Sequence, residues 1–441
     1  MRRADELIAT MRHVTVAVPD TAGRLFGKRR PIADWPDLQE RGLASPDVHL
    51  VTDLENRPQV GFAVAGRAHG FRNGILMPDV AAALLSPLEP QTMLVIADAL
   101  DSGVKAVAEA PRAILKAQLA RLAAAGITAR VASEIELYVI RQSYAEAYAQ
   151  GYACLTPLYH LHGDNDVMVT SLAAPFIDAI ERALETSGIV VDQVQGEGGK
   201  GQIEINMAPD SPLAAADNCV AFKYIVKAVA HAQGLSATFL AKPFEDDAGS
   251  GGHIHISFKS ADGSNALGAP DNLTPFGEQF LAGLLAHTPE LTLLHAPYAN
   301  SYKRMQPGTF VPLNATWGYD NRAVMLRLIA GRDGLRFEFR LPGADANPYH
   351  AYAAIIAAGL AGVEAGRALP PEMVGSSVPE SAPAIPADLT EAVARFASSA
   401  LAESAFGGDV HAHLLQHGRI ELAATRKAVT SWEFARGFES A

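Results

Sequence analysis

The chain has 441 residues, 49% of them hydrophobic and 19% charged, with a net charge of −12. This is the composition of a folded globular protein, and its acidic balance argues against a nucleic-acid or anionic-membrane surface while suiting cation binding or a soluble assembly. Two cysteines, Cys154 and Cys219, make no disulfide framework and point to a reducing cytoplasm. No apolar run reaches the roughly 18 residues of a membrane span, and Met1-Arg2-Arg3-Ala4-Asp5-Glu6 lacks signal-peptide character.

The alternating stretch 13–18 predicts a strand, followed by a turn at Pro19–Gly23 and a hairpin partner from Arg24 to Lys28. Further strands are predicted at 48–53 and 93–98. These pieces predict a small sheet-rich N-terminal domain, residues 1–105, ahead of a larger one, residues 106–441. In the larger part Ala113–Ala125 predicts a helix stopped by Gly126, and a strand follows at 127–140. Helices are predicted at 172–187 and 212–233, each stopped by a glycine. Strands are predicted near 189–194, 202–207, 236–241, 253–258, 312–317, 323–328 and 335–341. An alanine-rich helix at 346–365 carries an uncharged run, 351–363, and is expected to be buried. A proline-rich loop at 370–387 then leads to two or three helices. The fold class is α+β.

Polar residues recur at spacing two, which places side chains on one face of a strand. His253, His255 and Ser257 do so after the glycine-rich Gly249-Ser250-Gly251-Gly252; Glu134 and Glu136 do so around Ile135; Glu338 and Arg340 around Phe339. Glu197 lies in a glycine-rich loop and Glu204 in the strand after it. Taken alone, each set also fits a solvated edge or a salt-bridged face. Together they supply five carboxylates and an imidazole, an oxygen-rich donor set for two Mg2+ or Mn2+ ions rather than structural zinc. Arg304, Arg322, Arg327, Arg336 and Arg340 supply positive charge, and two hard cations beside arginines suit phosphoryl transfer. The match of 196–201 to GxGxxG leads into a strand, not a helix, so it is no dinucleotide fingerprint. No P-loop, GxSxG elbow or catalytic-cysteine signature occurs.

In this order the motifs resemble the glutamine synthetase family. The resemblance runs from Asp20-x-x-Gly23-Arg24-x-x-Gly27-Lys28 through Ser133-Glu134-Ile135-Glu136, Gly201-Gln202-Ile203-Glu204, Lys242-Pro243 and Gly249–Ser257. It continues through Asn300–Arg304, Asn321-Arg322, Glu338–Pro342 and Ala346–Tyr349 to Ser431-Trp432-Glu433. It implies a β-grasp-like N-terminal domain and a catalytic domain built on a curved antiparallel sheet flanked by helices. It also implies a homo-oligomeric double ring, two stacked hexamers with active sites between subunits. Glu136, Glu197 and Glu204 would hold one cation and Glu134, His253 and Glu338 the other. His255, Ser257 and Arg327 would lie along ATP, Arg322 at the phosphoryl group in flight, and Arg304 and Arg340 at the glutamate carboxylates. Gly249 would help seat the glutamate amino group. The implied chemistry phosphorylates the γ-carboxylate of glutamate with ATP, after which an amine forms an amide.

The sequence departs from ammonia-using members at the nucleophile end. Phe310 stands where they carry a glutamate that closes the site, and Arg57–Pro78 contains no acidic residue to hold ammonium. Ala248 replaces an asparagine beside the glutamate amino group, which opens the identity of the acid substrate. No tyrosine follows Tyr352, so the residue that some bacterial members adenylylate is absent. The expectation is a γ-glutamyl–amine ligase acting on an organic amine, a monoamine with an apolar part ahead of a polyamine. An ordinary glutamine synthetase, a silent regulatory homologue and a small-molecule kinase are the alternatives.

Overall fold

The computed structural model describes residue 8 and residues 10–440 apart from 271, 332 and 333; the Met1–Glu6 stretch lies outside them. The first of two main sheets has five strands in the order Leu25–Pro31, His13–Pro19, Thr92–Leu100, Asn73–Leu85, Leu43–Pro46. His13–Pro19 pairs antiparallel with its hairpin partner and parallel with Thr92–Leu100, as a β-grasp-like sheet does. Val14, Val16 and Val18 alternate into a core with Trp35, Leu38 and Val95. The expected strand at 48–53 is not one. Asp47–Leu50 forms a 3-10 turn closed by the Val51 amide on the Val48 carbonyl, and the strand precedes it at Leu43–Pro46. The long strand Asn73–Leu85 went unread because Pro78 and Asp79 interrupt its pattern; a register shift between Pro78 and Ala83 accommodates them.

The second sheet has eight strands. Seven run in the order Trp317–Tyr319, Leu326–Gly331, Gly334–Phe339, Gly252–Ser260, Ile127–Ile140, Gln202–Met207, Val191–Gly196, and Ser236–Thr238 pairs with Ile127–Ile140. Trp317–Tyr319 pairs parallel with Leu326–Gly331, and the other pairings are antiparallel. Gly252–Ser260 therefore has a neighbour on each side and is an interior strand, not an edge. Of the expected strand at 312–317 only Trp317 is in one, since Pro312 has no amide to give a ladder. Four helices, not two or three, follow the proline-rich loop: Leu389–Ala397, Ala400–Phe406, Gly408–Lys427 and Ser431–Gly437.

Helices Pro111–Ala124, Pro275–Leu291 and Pro348–Glu364 contribute to one core with the apolar side of this sheet. Pro348–Glu364 is the alanine-rich helix, buried along most of its length as expected. Its Gly362 lies against Gly283 of Pro275–Leu291 so closely that a methyl group on Gly283 would meet the Gly362 Cα at 2.8 Å. Small residues let these two backbones touch.

Among the buried histidines of this framework are His49, His295 and His350. Burial pulls His49 down to about 4 and His295 and His350 down to about 3, and none is more than 5% exposed. Each is neutral when folded but binds a proton in the unfolded chain below its ordinary value near 6.5. Their stabilisation is complete above pH 6.5 and is lost as pH falls towards 4, by up to about 2 kcal/mol per histidine at pH 5. The thermal midpoint is expected to drop steeply between pH 6.5 and 4.5; a midpoint flat across that window would refute this.

Candidate active site

Register builds the site. Glu338 is paired with Arg327 on one side and His255 on the other. His253 is paired with Glu134, Glu136 with Glu204, and Glu204 with Gln195. Paired residues in adjacent strands share a face, so one polar stripe crosses six strands from Arg327 to Gln195 while Ile254, Ile256, Phe337 and Phe339 point into the core.

The distances within the stripe are short. His253 Nδ1 lies 3.5 Å from both Glu134 Oε2 and Glu338 Oε1, and its Nε2 lies 4.0 Å from Glu136 Oε1. His255 Nε2 stands 2.8 Å from Glu134 Oε1. Its Nδ1 accepts from Arg336 Nε at 3.3 Å, which puts the ring proton on Nε2. Arg327 and Arg340 both pair with Glu338. The Gly251 amide donates to Glu136 Oε2 at 2.8 Å. A Cβ on Gly251 would meet Glu136 Oε1 at 2.6 Å and His253 Nε2 at 2.7 Å, so a side chain there would displace both site residues.

Charge is unevenly compensated along the stripe. At the arginine end, burial raises the Glu338 carboxyl but His253, Arg340 and His255 outweigh it, and the net direction is down. The Glu134 carboxyl is likewise held low, its burial outweighed by His253 and His255. At the other end, burial and then Glu134, Glu136 and Glu197 push Glu204 up to about 10. Burial and then Glu136 push Glu197 up to about 7. Crowded buried carboxylates without a cationic side chain are the donor set of a hard divalent ion. Glu134, Glu204 and His253 offer ligand atoms within 4.8 Å of one another, as do Glu134, His255 and Glu338. The residues present therefore fit Mg2+ or Mn2+. Each group contains two members of the expected Glu134–His253–Glu338 set, joined by Glu204 in one and by His255 in the other. Glu197 joins from its loop, where Gln195 Nε2 bridges it and Glu204 at 3.1 and 3.2 Å.

Arg304 lies beside this centre. It is buried, and its guanidinium donates to the Leu341 carbonyl at 2.9 Å and lies 3.4 Å from His253 Nε2. Among the described residues it has no carboxylate partner within ion-pair distance. Glu136 and Asp345 support its charge from beyond that distance while burial and Arg340 oppose it, and a buried guanidinium so placed suits an added anion. Gly249 is in place too, its carbonyl accepting from Gln202 Nε2 at 3.0 Å. Ser257 is half-buried two residues beyond His255. Arg322 and Phe310 are not in the stripe. Arg322 sits on an exposed turn, and Phe310 is 74% exposed.

Two residues of the site do more than the sequence reading gave them, Gln202 having had no role there and Arg336 only a share in the positive charge. Gln202 is fully buried and donates to both Glu136 Oε2 and the Gly249 carbonyl, tying a carboxylate to the glycine-rich stretch. Arg336 supports His255. The signal was present, since Gln202 is two residues from Glu204 and Arg336 two from Glu338.

Comparison with known proteins accounts for this arrangement. Residues 108–437 match the family model described as glutamine synthetase, catalytic domain. The chain belongs to the glutamine synthetase family. It is 37% identical over 427 residues to gamma-glutamylethanolamide synthetase GlnA4 of Streptomyces coelicolor, covering 97% of this chain and 92% of that protein. It is 31% identical over 395 residues to the glutamate–isopropylamine ligase of a Pseudomonas species, covering 88% and 84%. Among solved structures, a GmaS–ADP complex superposes with a TM-score of 0.86 at 28% identity, covering 99% of both chains. As a glutamine synthetase homologue the chain keeps the family fold and presents the family's motif carboxylates on one sheet face.

Proposed function

We propose that this chain is an ATP-dependent γ-glutamyl–amine ligase, joining the γ-carboxylate of glutamate to an organic amine through an acyl phosphate. One observation carries the reading: the carboxylate–histidine–arginine stripe is complete while residue 310, on an exposed turn, is a phenylalanine. Relatives named for ethanolamide and isopropylamine products support it.

The carboxylate stripe would hold divalent ions, with Glu136, Glu197 and Glu204 at one end and Glu134, His253 and Glu338 at the other. Bound there, the ions neutralise phosphate charge. Arg327 and Arg322 would meet the transferring phosphoryl group, with His255 and Ser257 along the nucleotide. Arg304 and Arg340 would orient the acid substrate, with Gly249 at its amino group. A substrate carboxylate oxygen attacks the γ-phosphorus and ADP leaves. The amine nitrogen then attacks the acyl carbon, phosphate leaves and the nitrogen loses a proton. Positioning and charge neutralisation supply most of this catalysis. Phe310 cannot attract a cation or take a proton, so it disfavours ammonium and favours an amine with apolar surface.

We further place the domain boundary near residue 105, the enzyme in the cytoplasm and the active sites between subunits of a double ring. The exposed Trp432 and Phe434 on the last helix, and Phe438 just after it, support an assembly.

The test is phosphate release with glutamate, ATP and Mg2+ or Mn2+, comparing organic amines with ammonium and weighing the products by mass spectrometry. An organic amine is expected to exceed ammonium in kcat/KM, and equal turnover with ammonium would restore the ordinary synthetase. Phe310→Glu is expected to shift the ratio towards ammonium by about tenfold, the worth of one charge-assisted contact. No shift would remove Phe310 from the nucleophile end.

A further inference from the structure

The polar stripe has a further row beside the carboxylates. Two positions from the Glu136–Glu204 pair, and so on the same face, Tyr138 is paired with Gln202, and both are fully buried. Their polar tips reach one short segment. The Tyr138 hydroxyl donates to the Ala248 carbonyl at 2.7 Å, and Gln202 Nε2 donates to the Gly249 carbonyl at 3.0 Å. Lys242 Nζ donates to the Asp247 carbonyl, so three successive carbonyls each hold a side-chain donor. The donors are themselves fixed: Gln202 Oε1 accepts from the Gly199 amide at 2.8 Å, and the Tyr138 ring meets Phe244 edge-on, with centroids 5.3 Å apart.

This segment lies between opposite charges. On one side is Arg304, since a Cβ on Gly249 would meet its Cγ at 2.6 Å and one on Gly251 its Nη2 at 3.0 Å. On the other is Glu136, tied to the segment through the Gly251 amide and Gln202. Each anchored carbonyl keeps a second lone pair, while Ala248 brings no polar side chain of its own. A buried guanidinium beside oriented carbonyls fits a molecule with a carboxylate and an ammonium group on one carbon, which is an α-amino acid. A carbonyl free to swing would have to be ordered by the substrate, whereas one already held costs less to use.

We propose that Tyr138 is a positioning residue for the acid substrate: its hydroxyl, with the Gln202 amide beside it, presets the Ala248 and Gly249 carbonyls that receive the substrate's ammonium group. This rests on the ligase reading above, in which Gly249 lies at that group, and adds the side chains that hold it there.

The test titrates glutamate, and glutarate as the same dicarboxylate without the amino group, into the full-length enzyme with Mg2+ and ADP. Calorimetry gives the ratio of the two dissociation constants. The wild type is expected to bind glutamate more tightly. Tyr138→Phe keeps the ring against Phe244 and loses only the hydroxyl. It is expected to weaken glutamate about tenfold, the worth of one hydrogen bond, and to leave glutarate unchanged. Weakening of both acids alike, or of neither, would make Tyr138 a structural residue and overturn the proposal, as would a wild type that binds the two equally. Should Tyr138→Phe fail to fold in a melting curve, Gln202→Met is expected to lower the same preference for glutamate, and an unmoved ratio there overturns the proposal equally. A wild type that binds neither acid would instead bring down the ligase reading on which it rests.

Discussion

Glu204→Gln is expected to lower amide formation about a thousandfold while raising the thermal midpoint. Glu204 is buried opposite Glu136 and beside Glu134 and Glu197. A neutral amide of the same shape removes the anionic ligand oxygen that a hard cation needs, and a thousandfold loss is about 4 kcal/mol of transition-state stabilisation. Without metal Glu204 must take up a proton to fold at neutral pH, because burial and its carboxylate neighbours hold it up at about 10, and a glutamine avoids that cost, so in metal-free buffer the folded state gains. Steady-state ADP release and a thermal melt in chelator read the two effects separately. A variant that kept wild-type activity would refute the metal assignment. One that lost activity and also melted earlier would show Glu204 to be a structural residue.

Arg112→Ala is expected to be the most damaging change away from the site. Arg112 opens the helix Pro111–Ala124 and is 1% exposed. Its Nε and Nη2 grip Asp217 at 3.0 and 2.9 Å, while Nη1 and Nη2 reach Asp98 and Asp79 at 2.7 Å each. Asp217 also accepts from the Tyr349 hydroxyl. Asp79 and Asp98 belong to the five-stranded sheet, whereas Asp217 lies on Pro212–Ala232 against the larger one. Removing one partner of a buried ion network leaves the others uncompensated, at a cost of about 3–5 kcal/mol. Denaturant unfolding should show a markedly lower midpoint for the alanine variant, with Asp98→Asn, a part-exposed member, milder. Equal midpoints for wild type and Arg112→Ala would dismiss the network as a clamp between the sheets.

Much of this was legible before any coordinates. Spacing two put Glu134 with Glu136 and His253 with His255 on common faces, and the structure keeps them there. The helix Pro348–Glu364 announced its burial by its uncharged run. Pairing was the illegible part. Nothing in the strand containing Glu338 says that its neighbour carries His255 rather than Glu204, because register follows from packing of the whole sheet. Short-range reading also failed where a proline or a turn overrode propensity, at 48–53 and 312–317. His162 was invisible for a different reason. It lies in a loop without periodicity, and its hydrogen bond to the Gly198 carbonyl joins two loops that are separate in the sequence.

The stripe across the larger sheet also determines where this protein can change. The ligands come from four strands and a loop, and the strand-borne ones are brought together by the pairing of adjacent strands. Adding or deleting one residue inside any of these strands would turn every later side chain in it towards the core. The half of the machinery that handles charge is therefore inherited whole, while the Phe310 turn and the His162 loop lie outside the ladders and are free to vary in length and composition. New nucleophiles can be acquired by rewriting loops, with the phosphate chemistry left as it stands.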